Sequence, residues 1–430
     1  MTTIAWFSPL PPVRSGIADA NAELLPHLER ELAIDRYDEP RAHDFIWRNQ
    51  RAPYDLIVYQ LGNASCHDFV WAYLARFPGL VVVHDPTLHH ARARQLLGRR
   101  RFDDYRREFW FDHPAAHRDF VEYAVEGLGG PIYYFWSMLP AVMKTARMVA
   151  VHNERVAADL REECPQTPIA AIHLGTAPIE ASAATRAATR ATRGYPDRSI
   201  VFAAFGKITS EKRISPILRA LAALVREGTD ARLLLVGDAS DYPSLQSEVT
   251  TTGIADRVHV TGFVEHEAIG RYLAAADVCL CLRWPTAHET SASWLQCLSA
   301  ARPTVISDLA HTIDVPERVA IRIDLLNEDE ALRTTMRRLA EDGRLRNELS
   351  RAGHAYWAAH HTMEVMANDY RRIIRDAAAR PLPAPAVDLP PHFTNDYTEP
   401  ARAIARQFGL SVDILEAEQA ERAGKAGRAG

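Results

Sequence analysis

The sequence predicts an α/β protein of two Rossmann-like doubly wound domains facing a central cleft, and three observations carry the two-domain reading. At 430 residues the chain exceeds what one hydrophobic core usually supports. Short apolar bursts, hydrophobic on both faces, alternate with helical patterns, as expected of parallel strands covered by helices on either side. The alternation runs twice, on either side of a stretch rich in Ala, Thr and Arg.

In the first half the strand-like "TIAWFS" is followed by a helical "DANAELLPHLER", then by the bursts "DLIVYQ", "LVVVHD", "RMVAVHN" and "IAAIHLG". The stretch "APIEASAATRAATRATRGYPDRS", residues 177–199, lacks the spacing of a core-facing element and reads as the seam. The second half repeats the plan with "SIVFAAFGK", "ARLLLVGD", "RVHVTGFV", "ADVCLCLRW" and "PTVISDL", interleaved with helices such as "RISPILRALAALVREG". The expected organisation is a first domain over 1–178, a linker over 179–198, a second domain over 199–355, a helix over 356–380, and a Pro-rich linker and tail over 381–430. Within that tail "ARAIARQFGL" reads as a short helix and "ERAGKAGRAG" as disordered.

Composition narrows the function. The net charge of −5 gives no general pull toward nucleic acid. The five cysteines show neither metal-site nor disulfide spacing, which suits a cytoplasmic protein with cysteines in its core. No secretory leader and no apolar run of about 18 residues is apparent. Phosphate-loop, G-x-G-x-x-G and G-x-S-x-G motifs are missing, which argues against a nucleotide triphosphatase, a nicotinamide dehydrogenase and an α/β-hydrolase.

Ligands of open parallel sheets gather beyond the C-terminal strand ends. There "FGKITSEKR" places Lys207, Lys212 and Arg213 after one strand, where fixed cations suit a leaving diphosphate. A solvated loop with ordinary surface lysines is the alternative. "PTAHETSASWLQCLSAARPTVISDL", residues 285–309, opens polar at Glu289, Thr290, Ser291 and Ser293 and then turns apolar. A helix N-terminus of that kind seats an anion, or is simply an ordinary capping box. No D-x-D triplet occurs to hold a divalent ion, so no metal is expected and side chains must neutralise any diphosphate.

Taken in order, "SPLPPVRSGIAD", "VVVHD" with "LHH", "AVHNE", "IHLG", "GKITSEKR", "LLLVGD", "VTGF" and "HETSASWLQCLSAARPTVISD" resemble family-4 retaining glycosyltransferases of the GT-B fold. The resemblance implies a nucleoside diphosphate sugar donor held by the second domain and a carbohydrate or lipid-linked acceptor held by the first. It further implies transfer with retention and without metal or other cofactor, and a role in bacterial-type surface polysaccharide or glycoconjugate synthesis. Lys207 and Lys212 match the pair that holds the diphosphate. Glu289 matches the first glutamate of the family's pair and would bind sugar hydroxyls, with the backbone N–H groups of Thr290 and Ser291 completing the seat. Gly16 matches a glycine that lets backbone approach the reacting centre, and His84 the active-site histidine; a satisfied structural histidine is the alternative for His84. Arg14 and Asp19 fall with His84 on the acceptor side.

The chain departs from the family pattern at Gln296 and Cys297, where a second glutamate usually grips the ribose, and at Arg213, where a glycine is common and which either adds a phosphate contact or points to solvent. On the acceptor side, residues 88–111 hold seven arginines among aromatic and aliphatic residues, either a charged cover on the sheet or a basic face for peripheral contact with the inner membrane surface. "GGPIYYFWSMLPAVM", residues 129–143, reads as core or acceptor groove, and "MEVMANDYRRIIRDA" as a helix that crosses back to the first domain. Two other functions fit the fold: a non-catalytic nucleotide-sugar or glycan-binding protein, and a nucleotide-sugar epimerase. The epimerase needs acid/base carboxylates facing the sugar from the first domain, and no such pair is apparent in the sequence.

Overall fold

A computed structural model describes residues 2–384, 386, 388–395 and 399–409. The chain forms two compact units, Met1–Pro385 and Ala386–Gly430. In the second, short helices cover Pro391–Thr394 and Glu399–Gln407, and the expected disordered end lies outside the described residues.

The large unit holds two six-stranded parallel sheets. The first comprises β1 (Thr3–Phe7), β2 (Ala33–Tyr37), β3 (Leu56–Leu61), β4 (Leu80–Val83), β5 (Met148–Val151) and β6 (Ile169–Ala171), in the spatial order β2-β1-β3-β4-β5-β6. The second comprises β7 (Ile200–Phe205), β8 (Ala231–Val236), β9 (Val258–Val260), β10 (Val278–Cys281), β11 (Thr304–Ser307) and β12 (Ala320–Ile323), in the order β12-β11-β10-β7-β8-β9. The central strands β3, β4 and β5 are buried throughout, which is why they read as continuous apolar bursts. In each sheet the chain runs outward from its first strand and then crosses back, so the strand order reverses at β1/β3 and at β7/β10. Those reversals open crevices at the strand ends.

One face of the first sheet packs Ile4, Trp6, Val58 and Val82 against Leu24, Leu25 and Leu28 of the helix Gly16–Leu28 and against Met366, Tyr370 and Ile373 of the helix Met363–Ala379. That last helix crosses back from the second domain. Arg371 donates to the carbonyl of His27 at 2.7 Å, and Asp369 accepts from His173 at 2.8 Å. The same apolar cluster continues into the second domain through Trp294, Leu298 and Trp357. The expected domain limit at residue 355 falls inside the helix Gly343–His360; the break comes at Thr362, whose hydroxyl caps the following helix.

The segment expected as a linker is not featureless. Residues Ala183–Thr192 form a helix. It carries no apolar face because arginines dock it: Arg186 and Arg190 both pair with Asp277, and Arg190 also donates to the carbonyls of Ala275 and Ser199. Residues 88–111, read as either a charged cover on the sheet or a basic face, have most of their arginines paired within the protein. They form parts of two helices, His89–Leu97 and Phe102–Asp112, in which Arg92 is buried against Glu108, and Arg94, Arg101, Arg106 and Arg107 pair with Asp68, Asp104, Glu122 and Asp104. Only Arg99 and Arg100 remain as exposed arginines without an ion pair among the described residues. Residues 129–143 divide between an exposed turn, with Phe135 at its tip, and core positions such as Met138 and Val142. All five cysteines are free, but only Cys279 and Cys297 are fully buried; Cys66, Cys164 and Cys281 are half-buried. Among the described residues no helix is long and apolar enough to cross a membrane.

Arg190→Ala removes the buried partner of Asp277 and the bonds that Arg190 donates to the Ala275 and Ser199 carbonyls. It should destabilise the large unit by about 3 kcal/mol, read as a lower denaturant midpoint at unchanged slope. A change below about 0.5 kcal/mol would show that Arg186 alone docks the helix.

Candidate functional site

The loops after β1, β4 and β5 face those after β7 and β10 across a cavity of about 540 Å³. Gly16, Asp19, His84, Lys207, Lys212, Glu289, Thr290, Ser291 and Gln296 all line it. Arg14 and Arg213 do not.

On the second-domain wall the backbone is arranged around Lys212. Gly206 has φ 85°, and a Cβ there would lie 3.3 Å from Nζ of Lys212. Gly237 has φ 152°, and its Cβ would fall 2.1 Å from the carbonyl oxygen of Gly206, so only glycine fits. The ammonium of Lys212 donates to the Phe205 carbonyl. Burial, reinforced by neighbouring Arg283, pulls its pKa down to about 8. Lys207 is exposed at the rim and pairs with Asp241. Arg213 takes a left-handed conformation, φ 58°, and its guanidinium is committed to Glu328. Arg213, read as either a phosphate contact or a solvent-facing residue, is held in this structure by the buried carboxylate of Glu328.

The helix beside this lysine, Ala292–Ser299, begins later than the sequence suggested. Ser291 is its N-cap, with Oγ accepting from the Trp294 N–H at 3.3 Å, and Thr290 donates its hydroxyl to the His152 carbonyl at 2.9 Å. Thr290, Ser291, Ala292 and Ser293 all line the cavity, and the helix starting at Ala292 leaves its first-turn N–H groups without intrahelical partners. Residues before the helix fold around Glu289. Its carboxylate accepts from the Thr286 hydroxyl at 2.9 Å and the Ala287 N–H at 3.0 Å, and pairs with Arg283 at 2.5 Å. Those bonds hold His288 at φ 62°. Burial pushes Glu289 up, but Arg283, a backbone N–H and the Thr286 hydroxyl outweigh it and keep the carboxyl ionised below the ordinary glutamate value.

The first-domain wall starts at Gly16, the first residue of its helix, where a Cβ would meet nothing within 4 Å and would take up cavity space. His84 has both ring nitrogens engaged: Nε2 donates to Oε1 of Gln60 at 2.6 Å and Nδ1 accepts from Nε2 of His152 at 3.1 Å. Tyr370 donates to the same Gln60 oxygen at 3.2 Å. Burial drives His84 well below the ordinary histidine value, so it is a neutral ring, and the structural reading of this histidine holds alongside its place in the cavity wall. Asp19 is raised, first by burial, and stands near Glu23, which pairs with His266 of the second domain at 3.1 Å.

A second hollow of about 540 Å³ adjoins the first and holds Gln296, Gly237, Asp238 and Phe263. Gln296 faces it while Cys297 is buried. Arg14, expected on the acceptor side, is here instead: its guanidinium lies 4.3 Å over the Phe263 ring and 3.8 Å from Glu265. The first-strand loop is long enough to reach across the cleft, and an aromatic face with a carboxylate beside it attracts the cation.

Asp85 and His152 stand at strand ends within "VVVHD" and "AVHNE", and Arg283 at the end of "ADVCLCLRW", but the sequence assigned none of the three a role. Glu23 and His266 left no signal, because their pairing joins distant parts of the chain. Asp19, expected on the acceptor side, lines the cavity from the first domain together with Glu23 and Asp85, where the sequence had shown no acid/base pair. Among the described residues no His, Cys, Asp and Glu cluster is arranged to hold a metal ion.

Residues 199–342 match the family model described as glycosyl transferases group 1. Alpha-D-kanosaminyltransferase of Streptomyces kanamyceticus is 34% identical over 127 residues, which is 29% of this chain; the match spans about a third of that relative, 32% of its length. Among solved structures, sucrose-phosphate synthase from Thermosynechococcus elongatus superposes with a TM-score of 0.64 at 16% identity, covering 87% of this chain and 99% of that one. The Anabaena protein HepE in complex with UDP-glucose gives 0.62 at 14% identity, over 87% of this chain and 100% of that one. The fold is GT-B.

Because the free Lys212 loses its proton near pH 8, diphosphate binding here should be constant below that pH and weaken by up to tenfold per unit above it, with proton uptake on binding. Calorimetric titration with nucleoside diphosphate between pH 7 and 9.5, in buffers of different ionisation enthalpy, measures both. Affinity independent of pH over that range would place the anion away from Lys212.

Proposed function

From a group 1 glycosyl transferase domain on a GT-B fold, we propose that this protein is a retaining glycosyltransferase that moves a hexosyl-type sugar from a nucleoside diphosphate to a carbohydrate or lipid-linked acceptor on the cytoplasmic side. The observation that carries this reading is the half-buried ammonium of Lys212, set beside the open first turn of the helix Ala292–Ser299 and the fixed carboxylate of Glu289. Charge grows on the diphosphate as the glycosidic bond breaks. Cations and N–H dipoles already in place stabilise that charge more in the transition state than in the ground state.

In this reading the diphosphate lies between Lys212, Lys207 and the N–H groups of Ala292 and Ser293, and no metal or other cofactor is called for. Lys207 must leave Asp241 to reach it. The nucleoside occupies the hollow of Gln296 and Gly237 under the Arg14–Phe263 contact. Sugar hydroxyls donate to Glu289, whose orientation Arg283 fixes. His84, neutral and held by Gln60 and His152, offers a shaped wall but no base. Transfer proceeds as a same-face displacement in which the departing phosphate helps to take the acceptor's proton. HepE as a UDP-glucose complex supports a nucleotide-sugar donor, and a kanosaminyltransferase among the relatives supports transfer of a sugar.

The first-domain carboxylates give the epimerase reading a specific observation, and product analysis separates the two. Incubation with UDP-glucose, GDP-mannose and UDP-N-acetylglucosamine, followed by nuclear magnetic resonance, should show free nucleoside diphosphate with an α-configured product. An isomerised donor indicates an epimerase, and binding without turnover a non-catalytic protein. Lys212→Ala should cost about 2 to 4 kcal/mol of transition-state stabilisation, read from kcat/KM. Glu289→Gln should lose turnover while keeping nucleoside diphosphate affinity, since Glu289 is assigned to the sugar; loss of bare nucleotide binding would refute that assignment. Gln296→Glu should lower the donor KM several-fold at nearly constant kcat, because charged hydrogen bonds to a hydroxyl exceed neutral ones by roughly 1 kcal/mol. An unchanged KM would place the ribose elsewhere.

A further inference from the structure

Asp85 follows β4 directly and lines the cavity with Glu289, Lys207 and Lys212, yet none of the roles above uses it. Its Oδ2 accepts from the Asn63 N–H at 2.6 Å. Residue 62 is a glycine whose Cβ would lie 3.1 Å from that same oxygen, so the backbone after β3 is shaped to let the carboxylate sit against it. Among the described residues Oδ1 accepts no hydrogen bond, and it is not a sealed atom, so it is turned to the cavity.

We propose that Asp85 is a catalytic residue that receives the proton of the acceptor hydroxyl. The hydroxyl oxygen bonds to the anomeric carbon, the bond from that carbon to the diphosphate oxygen breaks with its electron pair leaving on the nucleoside diphosphate, and the proton passes to Oδ1 of Asp85 and then to solvent. This rests on the transferase reading and gives that proton a protein-borne acceptor besides the departing phosphate.

The charges around Asp85 suit the task. Glu289 and Arg283 face it from the second domain, Lys207 and Lys212 from the far wall, the Asn63 N–H and neutral His67 from the loop after β3, and neutral His84 from its own strand. Burial first, then repulsion from Glu289, raises its pKa to about 6, which leaves it ionised but basic near neutral pH.

The test uses the full chain and whichever of UDP-glucose, GDP-mannose and UDP-N-acetylglucosamine the wild type turns over, with water as acceptor and nucleoside diphosphate release as readout. Asp85→Asn keeps an oxygen for the Asn63 N–H and should fold. Its turnover should fall about a hundredfold or more, with nucleoside diphosphate affinity within about threefold and a similar melting temperature. Wild-type kcat/KM should decline below about pH 6, and the variant should lack that limb. Turnover within tenfold of wild type, a persisting acid limb, or a parallel loss of nucleotide affinity and melting temperature would overturn the assignment while leaving the transferase reading intact. A wild-type profile flat to pH 5 overturns it without any variant. If the wild type releases nucleoside diphosphate from none of the donors, the transferase reading falls and the Asp85 role with it.

Discussion

Holding an ammonium partly out of water is the constraint around which the second domain is arranged. The Lys212 charge loses solvation, and burial with Arg283 nearby makes that loss larger. The carbonyl of Phe205 offsets part of it, which requires the chain after β7 to curl back at Gly206. That curl needs Gly237 opposite, since any side chain there would strike the Gly206 carbonyl. Arg283, the second cation, is itself neutralised by Glu289, so the wall presents one uncompensated positive charge beside one anchored carboxylate.

The first domain solves a different problem. Its strand-end histidines are buried and kept neutral, linked through Gln60 to Tyr370 on a helix that arrives from the far end of the chain. Cross-domain bonds from Thr290 to the His152 carbonyl and from Asn153 to the His311 carbonyl set the depth of the cleft. The outer rim is looser, an exposed ion pair of Arg14 with Glu265 and the contact with Phe263. Solvent-screened contacts of that kind contribute little to stability.

The parallel α/β plan and the buried character of the strands were legible because they follow from local pattern, while Gly16, His84 and Gln296 were singled out by family resemblance. "LVVVHD" and "ADVCLCLRW" can only be strands buried on both faces, and residues at their ends must meet at the crevice. Lys207, Lys212 and Glu289 were legible as charges placed at such ends. What escaped depends on partners distant in the chain. Arg213 read as a phosphate contact or a solvent-facing residue until Glu328 claimed it, and the Ala183–Thr192 helix looked like a linker because its docking is by arginine and not by an apolar stripe. The helix after Glu289 starts late because Thr286, Ala287 and Arg283 wrap the carboxylate first, a preference for ion pairing that helix periodicity does not encode.

The crossing helix Met363–Ala379 has a bearing on how the molecule is made. Tyr370 fills a gap against Trp6, with ring centroids 5.5 Å apart, and its hydroxyl reaches Gln60 beneath the histidines. During synthesis the first sheet emerges early, but a large part of its apolar face, and the group that orients Gln60, emerge only after the entire second domain. The earliest part of the chain is therefore the last to reach its final form, and while it waits on the ribosome it exposes an apolar surface that a chaperone or the second domain's own folding must shield.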